Sequence, residues 1–116
     1  MNVQIFGVKK CADTRKAQRF FKERGIRVQF VDLTEKGLSK GELRSVAAKV
    51  PMDQLLDRSH PRFAAKGLTH AWLDANKIEN LLLENPLLFR TPVVRNGKEA
   101  TVGYCPEVWK TWQLQD

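Results

Sequence analysis

The spacing of apolar residues changes twice within the first third of the chain. Polar and apolar residues alternate over residues 2–6, which predicts a short strand. Apolar residues at helical spacing follow, and Gly25 comes directly after them as a typical helix stop. A second apolar run, Val28 to Leu33, predicts another strand. Residues 2–33 therefore form a strand–helix–strand unit, in which the two strands are normally parallel.

The middle of the chain, about residues 36–85, has helical patterns throughout. A capping-box pattern that begins at Ser39 predicts a helix over about residues 40–49. Short apolar clusters over residues 52–68 predict two short helices. An apolar stripe over residues 71–84 predicts a longer one, which an Asn-Pro pair ends. This block separates the first two strands from the rest of the fold.

The last third of the chain carries the strongest hairpin signal. Two short apolar runs flank Asn96 and Gly97, which suit the two central positions of a type I′ turn with positive φ at both. A last helix follows, so residues 92–113 form a hairpin and a C-terminal helix. The order of elements predicts an α/β fold: a mixed four-stranded sheet with helices on both faces, as in thioredoxin and glutaredoxin, with an inserted helical block.

Composition predicts one globular domain over residues 1–116. The net charge of +7 comes from 20 basic and 13 acidic residues that are interspersed, which favours a mixed solvated surface without direct nucleic-acid binding. A basic face for nucleic acid, an acidic partner or an anionic small molecule is the alternative. The chain has no apolar run long enough for a membrane span and no signal-peptide pattern, so we expect a cytoplasmic, reducing location.

Cys11 falls where the first strand has ended and the first helix begins, just after Lys10. Free N–H groups and the positive end of a helix favour a thiolate there and lower the pKa of a thiol, and the nearby lysines act in the same direction whereas Asp13 acts against it. Thr14 lies three positions further on and offers a hydroxyl to the sulfur, but it cannot close a local disulfide. The alternative is that Cys11 is a small buried apolar residue. Neither Cys11 nor Cys105 has Cys or His partners at ligand spacing, so we expect no metal site.

Two stretches, Phe6–Ala17 and Asn85–Val94, resemble the ArsC/Spx/YffB family. This family contains glutaredoxin-like arsenate reductases, redox-sensing transcriptional relatives and uncharacterised reductase-like members. The resemblance covers essentially the whole chain and implies a catalytic cysteine at Cys11. It also implies a cis peptide bond between Thr91 and Pro92, in a loop that faces the cysteine.

The resemblance also implies how an oxyanion would bind, because the arsenate reductases of the family use three arginines. Arg58 is the candidate for the arginine of the insertion, and Arg90 lies one step before Thr91, which occupies the position of the second arginine. No arginine follows the hairpin, and Gly7 stands where the reductases have a histidine. Each lost charge-assisted hydrogen bond costs about 1.5 to 3 kcal/mol, which disfavours dedicated arsenate reduction.

These residues predict a thiol-dependent oxidoreductase with one nucleophilic cysteine and no bound cofactor. Glutathione, glutaredoxin or a protein thiol would resolve the adduct on Cys11. Lys10, Thr14 and the Thr91–Pro92 backbone are candidates for stabilising the thiolate or binding the partner. Arg58 and Arg90 are either part of a basic rim that binds carboxylates or ordinary solvated surface residues.

Two alternatives follow from the same resemblance. The first is a regulatory protein that binds the RNA polymerase alpha subunit, as the Spx branch does, without a local Cys-x-x-Cys switch. The second is a glutaredoxin-coupled arsenate reductase. Cys105 is either a resolving thiol for Cys11 or an isolated thiol. We expect a monomer, because nothing in the sequence demands a dimer.

Overall fold

The computed structural model describes residues 3–112. In this described part of the chain, four strands form one mixed sheet: β1 (Val3–Gly7), β2 (Val28–Asp32), β3 (Val93–Asn96) and β4 (Glu99–Val102). Their order in the sheet is β2-β1-β3-β4. β1 pairs with β2 in parallel and with β3 antiparallel, and β3 pairs antiparallel with β4. This topology confirms the predicted α/β fold of thioredoxin and glutaredoxin type.

Within residues 3–112, six α-helices accompany the sheet: α1 (Ala12–Glu23), α2 (Lys40–Ala47), α3 (Met52–Leu55), α4 (Pro61–Ala65), α5 (Ala75–Glu84) and α6 (Pro106–Trp109). A short 3₁₀ turn, Pro86–Leu88, connects α5 to the segment that leads into β3. The chain thus runs through α2 to α5 between β2 and β3, which is the predicted helical block.

The central strands bury opposite faces in two apolar clusters. Ile5 and Val94 belong to the cluster that packs against α1 and α6, together with Trp109. Phe6 and Val93 point the other way and belong to the larger cluster under the helical block. Successive residues of a strand face opposite sides of a sheet, so adjacent positions in β1 and β3 hold both layers in place.

α1 ends as the sequence predicts. Gly25 has a φ of +69°, the left-handed conformation that suits glycine at the end of a helix. The Gly25 N–H donates to the carbonyl of Lys22 at 3.0 Å, and the Ile26 N–H donates to that of Phe21 at 2.9 Å. These bonds return the chain directly into β2 and keep the N-terminus of α1 at the opposite end, beside the end of β1.

The helical block confirms the pattern but corrects two boundaries. The predicted capping box is present, with Ser39 and Glu42 exchanging bonds of 2.8 and 3.1 Å, and α2 ends at Ala47, two residues earlier than predicted. The long helix begins at Ala75 rather than at residue 71, because the Asp74 side chain accepts from the Lys77 N–H at 2.8 Å and caps it. The two short helices predicted over residues 52–68 are α3 and α4.

The predicted turn of the hairpin was wrong by one residue. Asn96 pairs with Glu99, so Gly97 and Lys98 occupy the two central positions. Gly97 has a φ of +59°, and Lys98 is not among the residues with positive φ, as a II′ turn with glycine first requires. The C-terminal helix ends at Trp109, earlier than predicted, and the predicted limits at residues 2 and 113 lie outside the described residues.

Candidate active site

Cys11 is the N-cap residue of α1. Its backbone is extended, with φ −77° and ψ 122°, and its N–H donates to the carbonyl of Val8 at 3.0 Å. Its own carbonyl accepts the first bond of the helix from the Arg15 N–H at 3.1 Å. The half-buried sulfur therefore lies at the end of α1 where free N–H groups and the helix dipole favour negative charge.

Thr91 comes from the other side of the site and contacts this sulfur directly. The Thr91 hydroxyl donates to Cys11 Sγ at 3.2 Å, and Sγ lies 4.0 Å from the Thr91 carbonyl oxygen. The Thr91–Pro92 peptide bond is cis, as the family resemblance implies. Pro92 is anchored to the loop after β4, because its carbonyl accepts from the Gly103 N–H at 2.8 Å. The pairing of β1 with β3 brings these distant segments together.

Thr14 lies beneath the sulfur in the first turn of α1. It is fully buried, and its hydroxyl has no hydrogen-bond partner of ordinary geometry among residues 3–112. Its side chain packs against Gly7 at the end of β1: a Cβ added at Gly7 would lie 2.5 Å from the Thr14 hydroxyl oxygen. Thr14 thus occupies the space that a side chain at position 7 would need.

The surroundings of Cys11 favour its thiolate. Burial raises the pKa of Cys11, but hydrogen bonds from the Thr14 and Thr91 hydroxyls and from the N–H groups of Thr14 and Asp13 outweigh it, so the pKa lies below that of an ordinary thiol. Thr91 is the main stabilising side chain, because its hydroxyl contacts the sulfur directly, whereas the Thr14 hydroxyl makes no regular hydrogen bond in the described residues.

The two predicted arginines do not join this site. The Arg58 guanidinium is held by Asp53 at 2.6 Å and lies 5.7 Å from the centre of the Phe63 ring. Arg90 is exposed, and its backbone N–H donates to the carbonyl of Leu55 at 2.8 Å. Neither side chain lines the cavity beside Thr91. Their predicted role in binding a partner stays a prediction.

That cavity has a volume of about 270 Å³ and opens between the loop of Cys11 and the helical block. Lys10 and Thr91 line one side, and their predicted role in stabilising the thiolate or binding the partner stays a prediction. Asp57, His60 and Arg62 line the other side, and sequence analysis missed all three. The one sequence signal for Asp57 was its position next to the candidate Arg58. If the insertion is rotated by one residue, Asp57 faces the cavity in place of Arg58.

The cavity wall formed by residues 57–62 is ordered by its own hydrogen bonds. One carboxylate oxygen of Asp57 accepts from the N–H and the hydroxyl of Ser59, at 3.0 and 2.6 Å. The Asp57 N–H donates to the carbonyl of Leu88 at 2.8 Å. His60 caps α4, since its Nδ1 accepts from the Arg62 N–H at 3.1 Å, and the neutral ring therefore carries its hydrogen on Nε2.

Cys105 lies at the start of α6 and differs from Cys11 in its surroundings. Its thiol donates to the carbonyl of Val102 at 3.3 Å, and it packs against the cluster that contains Trp109. Burial raises the pKa of Cys105 more than the nearby Thr101 hydroxyl lowers it. Both cysteines are free thiols. A resolving role for Cys105 stays a prediction.

Two further properties concern the part of the chain that the structure describes. Residues 3–112 hold no group of three or more His, Cys, Asp or Glu side chains placed to ligate a metal ion. Within the same residues, no helix is both long enough and apolar enough to cross a membrane.

A mixed four-stranded sheet, with a cysteine at the N-terminus of the first helix facing a cis-proline loop, defines a protein of the thioredoxin-like class. The model of the ArsC family matches residues 6–112, and the chain belongs to that family. The family membership agrees with the resemblance carried by the two sequence stretches.

Among curated relatives, the global transcriptional regulator Spx 2 of Oceanobacillus iheyensis is 28% identical over 106 residues, covering 90% of this chain and 78% of the relative. The arsenate reductase of Haemophilus influenzae is 26% identical over 110 residues, covering 92% and 95%. Among solved structures, the YFFB protein has a TM-score of 0.79 and 26% identity, covering 93% of this chain and 96% of that one. The proteins similar to this chain thus include both an arsenate reductase and a regulator.

Proposed function

We propose that this protein is a thiol-dependent oxidoreductase in which Cys11 is the single nucleophile. The observation that carries the proposal is the 3.2 Å hydrogen bond from the Thr91 hydroxyl to Cys11 Sγ, made at the N-terminus of α1. The hydroxyl and the N–H groups of the helix stabilise the thiolate, which is the reactive form of cysteine.

The reaction takes place in two exchange steps. The Cys11 thiolate attacks one sulfur of a disulfide, so that a bond forms to Sγ, the original S–S bond breaks, and the departing thiolate takes a proton from water. A second thiolate then attacks the sulfur bound to Cys11, forms a new disulfide with it and releases the Cys11 thiolate. In the net exchange one substrate sulfur is released as a thiol, and the external thiol takes its place in a new disulfide with the other substrate sulfur.

An external thiol performs the second step, because Thr14 occupies the position where a Cys-x-x-Cys motif has its second cysteine. Glutathione, glutaredoxin or a protein thiol supplies it, and the protein needs no bound cofactor. Thr91 and Pro92 would present their backbone to the incoming partner in the manner of an added strand. Lys10 would contribute a cation at the rim of the same cavity.

Mass spectrometry of protein treated with peroxide and then with glutathione tests this proposal. We expect the glutathione adduct on Cys11, because its thiolate is oxidised and captured first. A Cys11→Ser variant should lose the adduct, and the matched Cys105→Ser variant should keep it. An adduct confined to Cys105 would contradict the proposal.

Arsenate reduction is a weaker candidate, although a relative from Haemophilus influenzae is an arsenate reductase. The Asp57 carboxylate lines the cavity, whereas the Arg58 guanidinium is paired with Asp53 outside it. A carboxylate repels an oxyanion, and the loss of arginine donors removes its binding energy. We expect no turnover in a coupled assay with arsenate, glutathione and glutaredoxin.

A regulatory function is the second candidate, favoured by the similarity to Spx 2. Such a protein would bind the alpha subunit of RNA polymerase without a local disulfide switch. Pull-down with the alpha subunit, compared between the wild-type chain and Cys11→Ser, separates the two functions. Binding that the substitution leaves unchanged, together with an absence of thiol exchange, would favour the regulator.

A further inference from the structure

The walls of the cavity beside Thr91 carry charges of both signs. Lys10 and Arg62 contribute cations, and Asp57 contributes an anion. Within residues 3–112, none of the three takes part in an ion pair. The charges are therefore free to interact with a bound molecule rather than with each other.

Asp57 is held so that it can accept from a ligand. Both of its bonds within the described residues, from the Ser59 N–H and hydroxyl, go to Oδ1, which leaves Oδ2 without a partner there. The backbone N–H of Asp57 is fixed to Leu88 at 2.8 Å, so the residue cannot easily turn away. An ammonium group is the natural partner for such a carboxylate oxygen.

The other charged groups suit a carboxylate. The Arg62 guanidinium can donate two parallel bonds to a carboxylate, and the Lys10 ammonium adds a second positive charge. His60 adds a hydrogen-bond donor, since its Nδ1 is occupied by the Arg62 N–H and its Nε2 carries the hydrogen. An inorganic oxyanion would be attracted by the same cations but repelled by the Asp57 carboxylate.

We propose that this cavity selects thiols and disulfides that carry a zwitterion, with the ammonium group at Asp57 and a carboxylate at Lys10 and Arg62. This inference rests on the proposed role of Cys11 as a nucleophile. Thr91 lines the cavity, and its hydroxyl donates to Cys11 Sγ at 3.2 Å, so a group attached to the sulfur would lie next to the cavity. Selection by Asp57 would distinguish this protein from one that binds a simple anion.

The experiment compares oxidised glutathione with its bis-N-acetyl derivative, in which the ammonium groups are blocked and the carboxylates are kept. In a Cys105→Ser background, intact-mass measurements give the rate at which Cys11 forms a mixed disulfide with each probe. In that step the Cys11 thiolate bonds to one glutathione sulfur, and the other glutathione leaves as a thiolate. Rates with 2-mercaptoethanol correct for the intrinsic reactivity of each probe.

We expect oxidised glutathione to react about two- to fivefold faster than the acetylated probe after this correction, which is the factor that one solvent-accessible ion pair provides. Asp57→Asn should abolish the preference, while its amide oxygen still accepts from Ser59. Glu99→Gln removes the same charge from the exposed hairpin and should keep the preference. Arg62→Gln should slow both probes by a similar factor.

Equal corrected rates in the wild-type cavity, or a preference that survives Asp57→Asn, would overturn the zwitterion selection while leaving Cys11 as a nucleophile. A chain in which neither probe labels Cys11 would instead remove the proposed function and the inference together. Circular dichroism of each variant confirms that the fold is intact.

Discussion

The hydrogen bond between Thr91 and Cys11 makes a quantitative prediction for a Thr91→Val variant. Valine keeps the shape of threonine and removes the hydroxyl that donates to Sγ at 3.2 Å. A hydrogen bond to a charged group contributes about 1.5 to 3 kcal/mol, and the lower end applies here because water reaches the half-buried sulfur. About 1.5 kcal/mol corresponds to roughly tenfold less thiolate at any pH below the pKa of the thiol.

The remaining thiolate would be more reactive, because nucleophilicity rises with basicity with a coefficient of about 0.4 to 0.5. A tenfold gain in basicity gives about a threefold gain in intrinsic rate. Exchange with a small disulfide should therefore be about threefold slower than wild type at low pH and about threefold faster at high pH. The two rate–pH profiles should cross.

Stopped-flow exchange with 4,4′-dithiodipyridine in a Cys105→Ser background measures both profiles. Thr111→Val is the matched control, because the Thr111 hydroxyl donates to the carbonyl of Val108 on α6 and its loss should leave the profile unchanged. Superimposed profiles for Thr91→Val would refute the role of the hydroxyl. If exchange by Thr91→Val were slower than wild type by the same factor at every pH, the substitution would have changed access to Cys11 and not its ionisation.

Three further predictions concern stability. Gly7→Ala should lower the free energy of unfolding in urea by about 1 to 3 kcal/mol, because its Cβ would meet the Thr14 hydroxyl. Thr14→Ala should recover part of that loss. Strictly additive effects of the two substitutions would contradict the contact. Thr14→Val removes a buried hydroxyl without a regular partner in residues 3–112, so it should raise the unfolding free energy by about 1 kcal/mol. The same substitution should slow exchange at Cys11 at low pH, because the hydroxyl contributes to the lowered pKa of the thiol. An unchanged exchange rate would exclude Thr14 from thiolate stabilisation. Because folding lowers the pKa of Cys11, its thiolate stabilises the fold above the pKa of the unfolded thiol, and this stabilisation is lost as the pH falls through the folded pKa. The stability of wild type relative to Cys11→Ser should therefore rise with pH, and a flat difference would contradict the shift.

Most of the fold was predictable because local signals agree with it. The alternation in β1, the helix stop at Gly25 and the capping box at Ser39 each act over a few residues, and each is present. The errors arose where two local signals competed. Asp74 offered a cap inside an apolar stripe, and the Asn-Gly pair fitted two turn registers, of which the pairing of Asn96 with Glu99 selects one.

The candidate site also has one part that the sequence predicts and another that depends on the tertiary structure. The place of Cys11 at the start of α1 follows from the sequence itself, since a strand end, a helix start and a cysteine between them are local features. The contact with Thr91 was implied by the family resemblance, but its hydrogen bond depends on the pairing of β1 with β3.

The wall of the cavity was decided only by the tertiary structure. Short helices such as α3 and α4 have too few residues for periodicity to define which face turns inward. Burial of Leu55 and Phe63 in the core sets their rotation, and that rotation turns Asp57 to the cavity while Arg58 pairs with Asp53. The sequence does not show which of these two neighbouring side chains turns to the cavity, yet the choice decides whether position 57 or 58, an acid or a base, lines it.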